Sequence, residues 1–176
     1  MSTLHVENLK GLSSGGNANK VIIPTGQTLE VTDNIRYDDM PAGSVIQVLT
    51  GTTTSQTFTT STSLVDTNLS VTITPKFNTS KIFISVSNLG ISLNTQYVIH
   101  KLLRGSTVIC GDHAYNNNNY WMPVNFAMSI LDSPATTSAT TYKTQVRLSN
   151  AGDLRYNYSG DGSGSKASIT AMEIAQ

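Results

Sequence analysis

A single cysteine, Cys110, is all the chain contains, so no disulfide can close within it. Stability has to come from packing, from a metal or from association with other copies. Charge is also scarce. Asp, Glu, Lys and Arg make up 12% of 176 residues, 11 basic against 11 acidic, about half the usual share of roughly 25%. The basic residues are scattered rather than gathered on one stretch, which argues against a nucleic-acid partner. No apolar run approaches the roughly 20 residues of a membrane helix. The Met1-Ser2-Thr3 opening lacks the basic and apolar regions of a signal peptide. The expectation is a chain made and folded in the cytosol, with no membrane insertion. Ala, Glu, Lys and Leu are sparse, and no segment shows an amphipathic helical pattern capped at both ends.

Ser and Thr fill the gap, at roughly a quarter of the residues. Thr, Val, Ile and Tyr favour a half-buried pleated surface, so the composition predicts an all-β protein with a hydroxyl-rich, weakly charged exterior. Residues 1–41 differ from the rest. Short apolar snatches, Leu4-His5-Val6 and Val21-Ile22-Ile23, are separated by Gly and Asn turns. Strands this brief are marginal alone but become stable where identical segments of other chains wrap around them. Residues 1–41 are therefore read as an N-terminal β stem or attachment arm.

From residue 42 the strand signals become regular. Val45-Ile46-Gln47-Val48-Leu49 is read as a buried-strand run, and Leu69, Val71 and Ile73 alternate with Ser70 and Thr72. Ile82, Ile84 and Val86 share a face, with Phe83 opposite. Tyr97 to Leu103 reads as a strand that returns, after an Arg104-Gly105-Ser106 turn, through Thr107 to Gly111. Asp112 and His113 are expected in the following turn, and Asn116 to Asn119 at a loop tip. Trp121 to Leu131 is broken by Asp132-Ser133-Pro134 and answered by Thr140 to Leu148. Leu154-Tyr156-Tyr158 and Ser168 to Ala175 close the chain. About eight strands at this spacing predict a jelly-roll-like β-sandwich over residues 42–176.

Several of these pieces resemble virion fibre and appendage proteins of tailed, cyanophage-like bacteriophages. They are Pro41-Ala42-Gly43-Ser44-Val45-Ile46-Gln47-Val48, Leu69 to Pro75 with Thr79 to Ile82, Asp132-Ser133-Pro134 with Thr141 to Val146, and Ile169 to Ile174. Pro24-Thr25-Gly26-Gln27-Thr28-Leu29 is similar to a repeat of phage fibre shafts. The order of the pieces is right, although each is a strand-and-turn pattern rather than a chemical signature. The resemblance implies a homotrimer with a jelly-roll head, mounted on the virion through its N-terminal segment and touching other virion proteins there. A host surface glycan is the implied receptor. With so little shaft, the expectation is a short tail or capsid fibre. A capsid decoration protein and a stand-alone carbohydrate-binding module are the rival readings.

Catalytic signatures are missing. There is no Gly-x-Ser-x-Gly elbow, and Gly160 to Gly164 lacks the Lys and the helix of a phosphate loop. The aspartates sit mostly where turns are expected. No enzymatic activity and no cofactor are expected. Cys110, Asp112 and His113, with His100 on the neighbouring strand, do not match a familiar zinc spacing, so no metal site is expected either. The candidate receptor-contact patch is Tyr115-Asn116-Asn117-Asn118-Asn119-Tyr120-Trp121. Rings stack on sugars and Asn amides pair with hydroxyls without carrying charge. Tyr156-Asn157-Tyr158 raises the same possibility.

Overall fold

The computed structural model describes residues 13–16, 21–28, 40–93, 96–117, 119–158 and 166–176. The chain divides into two compact units, Met1–Arg36 and Tyr37–Gln176. Most of the expected N-terminal stem, Asn118 and the Gly160 to Gly164 turn lie outside the described residues. In the first unit, Val21 to Thr28 are exposed and form no strand. A turn closes there through the amide of Gln27 on the Pro24 carbonyl, with Gly26 at positive φ.

The second unit is all β. Its strands are β1 (Val45–Thr53), β2 (Thr57–Thr59), β3 (Val65–Ile73), β4 (Lys81–Leu93), β5 (Gln96–Arg104), β6 (Thr107–Asn116), β7 (Met122–Asp132), β8 (Thr140–Leu148), β9 (Asp153–Tyr156) and β10 (Ala167–Ile174). That is ten strands among the described residues rather than about eight. The pairing is nested and antiparallel: β5 with β6, β4 with β7, β3 with β8, β1 with β10. A long two-stranded ribbon pairs in this way, and rolling it up brings β10 beside β4 and β8 beside β5. The result is a jelly roll. One sheet runs β1-β10-β4-β7 and the other β3-β8-β5-β6. The short pair β2 and β9 extends the first sheet, because β9 pairs with the far end of β4 where β10 has stopped.

Alternation in the sequence sets the two faces of each strand. In β3 Leu69, Val71 and Ile73 are buried while Ser70 and Thr72 are exposed, and β10 buries Ala167, Ile169 and Ala171. The core falls into two apolar clusters. One centres on Ile73, Ile82, Ile84, Leu102, Tyr142 and Ile169, the other on Val98, Phe126, Val146, Leu148, Leu154 and Tyr156. The C-terminus is tied in: Gly43 and Ala175 amides donate to the Ala175 and Ser44 carbonyls at 2.8 and 2.9 Å. That brace opposes the fraying expected of a free chain end.

Three sequence expectations change. Val45 to Leu49 is not a buried strand: Ile46 alone is buried, while Val45, Val48 and Leu49 are exposed on the edge strand β1. β6 does not stop at Gly111; it runs on to Asn116, so Asp112 and His113 lie on a strand and not in a turn. Gly111 reads as a break in sequence, but it lies within the strand, with the Lys101 side chain from directly across the ladder lying over it. Asn116 is no loop tip either. It is the last residue of β6 and fully buried.

Candidate functional site

The Tyr115 to Trp121 segment joins β6 of one sheet to β7 of the other, and its aromatic residues part company accordingly. Tyr115 stays on the outer face of β6, half exposed. It stacks on Tyr97, directly opposite on β5, with ring centroids 4.6 Å apart. His113 meets the same Tyr97 edge-on at 5.5 Å. Asn116 turns inward, and its Nδ2 donates to the Tyr120 carbonyl at 3.1 Å, so it shapes the loop from beneath. Asn117 and Asn119 are exposed, and Tyr120 is the most exposed large ring among the described residues, at 79%. Asn118 lies outside the described residues.

Trp121 belongs to a different grouping. The guanidinium carbon of Arg155 lies 4.9 Å from the centre of its ring and 5.1 Å from that of Tyr158, both within cation–π range. Arg155 sits on the outward side of β9, directly across the ladder from Phe58 on β2. Phe58 is 61% exposed. Gln56, Thr57, Phe58 and Arg155 line a surface cavity of about 330 Å³. The backbone holds this group in place. Asn157 follows β9 with φ of 60°, a left-handed turn that Asn tolerates. Its Nδ2 donates to the carbonyls of Thr53 and Ser55 at 3.1 and 3.2 Å. Those bonds pin the β1–β2 connection, and with it Phe58, against the end of β9.

Of the Tyr156-Asn157-Tyr158 run, only Tyr158 faces this surface. Tyr156 is fully buried, and burial pushes its hydroxyl up to about 12. It belongs to a polar seam inside the sandwich. The Thr67 and Thr144 hydroxyls bond each other at 2.5 Å, Thr144 reaches Tyr156 Oη at 3.5 Å, and Tyr156 Oη meets His100 Nε2 at 3.3 Å. His100 is fully buried and its Nδ1 has no hydrogen-bond partner. Desolvation holds its pKa down to about 4, against a smaller opposing pull from Asp112.

Among the described residues no three His, Cys, Asp or Glu side chains come together as a metal-binding group. Cys110 is half buried against the first core cluster. His100 points inward opposite Asp112, whereas His113 faces outward beside Tyr97, so His100 and His113 lie on different faces of the sheet. Sequence reasoning missed Phe58, Tyr97 and Arg155. Each is an outward residue on a strand whose neighbours across the ladder are distant in sequence. Compared with protein-family models and with curated proteins, the chain matches none.

Proposed function

We propose that this chain is a structural protein of a bacteriophage particle, a short homotrimeric fibre that contributes to host attachment and has no enzymatic activity. The observation that carries the reading is the outer face of the β1-β10-β4-β7 sheet. Residues directly opposed across antiparallel strands share a face, and here they line up in rows. Val48, Met172, Phe83 and Leu131 form one apolar row spanning all four strands. Val45 and Ile174 extend it at one end. Val45, Val48 and Leu131 are each about half exposed. The next two rows are Thr50, Thr170, Ser85 and Ser129, then Thr52, Ser168, Ser87 and Ala127.

These three rows carry no charge, and Lys81, opposite Ile174, flanks them. A second copy of the chain suits such a face, because identical charges would otherwise meet across the contact. An apolar patch that crosses a whole sheet is the usual mark of an interaction surface. The number three, the virion setting and the docking of residues 1–41 to other virion proteins come from the resemblance of the strand-and-turn pieces. The aromatic groups at the β6–β7 end are then available for a host glycan.

Those same groups favour one second reading, a stand-alone carbohydrate-binding module. Alanine at Tyr115 and Tyr120 separates the possibilities. Particles that assemble but lose adsorption support an attachment fibre, while normal adsorption with fragile particles supports a decoration protein. Sugar binding without any incorporation into particles supports the module.

A further inference from the structure

Arg155 is the one guanidinium in the second unit whose only interactions among the described residues are with aromatic rings. Arg104 pairs with Asp132, and Arg147 bonds the Leu148 carbonyl. Arg155 has Trp121 and Tyr158 beside it, and among the described residues it forms no ion pair. A guanidinium stacked on rings keeps its N–H groups, which lie in its own plane, for a ligand. Those donors match a carboxylate fork to fork. Phe58 stands exposed across the ladder, and Gln56 and Thr57 complete a cavity of about 330 Å³, enough room for roughly one sugar ring. The Oγ1 of Thr57 is buried without a hydrogen-bond partner.

We propose that Arg155, Trp121, Tyr158 and Phe58 form a binding site for a carboxylate-bearing pyranose, a uronic-acid type of sugar. Arg155 takes the carboxylate, the exposed rings cover the apolar C–H face of the sugar, and Gln56 supplies polar contacts at the rim. A neutral sugar would leave the guanidinium without its anion, and a bare inorganic anion would leave the rings unused. The site therefore selects for both features on one ligand. This inference deepens the attachment reading and rests on it for its biological setting, since it names the class of host glycan.

Trp121 is the only tryptophan in the chain, so its fluorescence reports on the site without a label. The full chain is titrated with oligomers of glucuronic acid, with neutral glucose oligomers of equal length, and with inorganic phosphate. The expected result is a saturable change with the acidic oligomer, at least tenfold tighter than with either control. Arg155→Lys weakens it about tenfold, and Phe58→Ala several-fold, with the circular dichroism spectrum unchanged. No saturable response to the acidic sugar, equal affinity for the neutral one or for phosphate, or an unaltered Arg155→Lys variant would each overturn the proposal. Binding by purified protein that never enters particles would refute the virion reading while leaving the sugar site standing. Adsorbing particles whose protein ignores acidic sugars would do the reverse.

Discussion

His100 lies between the rings of Phe126 and Tyr156, with centroids 4.7 and 5.6 Å away, and is neutral in the folded protein. Its pKa falls from 6.5 to about 4 on folding, so between those values the unfolded chain binds the proton and the folded chain does not. Stability from this group is full above about pH 6.5 and is lost as pH falls towards 4, by roughly 3 kcal/mol. Denaturant titrations at pH 7.5 and 4.5 measure it. His100→Leu removes this part of the pH dependence, leaving a smaller gap between the two pH values than in the parent protein. Gly51 makes a second residue-scale demand. A Cβ there would collide with the Ser70 carbonyl oxygen of β3, where β1 closes against the opposite sheet. Gly51→Ala should cost about 1–3 kcal/mol through overpacking, read as a lowered midpoint of thermal unfolding.

Among the elements, β7 is held to the opposite sheet at its end. Both Asp132 carboxylate oxygens accept from Arg104 of β5, at 2.8 and 2.9 Å, and Oδ2 also accepts the Tyr142 hydroxyl of β8 at 2.7 Å. Burial and the neighbouring carboxylate hold the Tyr142 hydroxyl far above the ordinary tyrosine value, which keeps it a donor. Asp132→Ala leaves the Tyr142 hydroxyl without its acceptor and the part-buried Arg104 guanidinium with only the Ser133 carbonyl. A loss of about 3 kcal/mol in equilibrium unfolding is expected, and Asp132→Asn should recover part of it.

Asp132 also shows what a sequence conceals. It reads as a turn former beside Pro134, and its role as a clamp depends on partners brought close only when the ribbon rolls. The strands themselves were legible wherever alternation was clean, as in Leu69 to Ile73 and Ile169 to Ala171. Gly111 and Asn116 misled because a glycine and an asparagine run signal breaks locally, whereas here one receives a lysine side chain and the other braces a loop. Half of the candidate site was visible as Tyr115, Tyr120 and Trp121. Arg155 and Phe58 were not, because only the β2·β9 pairing makes them neighbours.

On the scale of the whole molecule, a charge-poor chain with a single cysteine has built a jelly roll in which three neighbouring rows of one outer face carry no charge. An isolated copy leaves Val48 and Leu131 about half exposed and Phe83 and Met172 partly so, and the proposed assembly would cover them. A glutamate at Val48 places a charge in the apolar row of that surface without touching the core, since Val48 is 53% exposed. Val48→Glu should therefore yield folded, dissociated chains with an unchanged circular dichroism spectrum.

The proposed homotrimer is read out by the light-scattering mass of the full chain at micromolar concentration. The expected mass is three times the 18.9 kDa of one chain, falling to a single chain in Val48→Glu. A parent protein that scatters as one chain would contradict it.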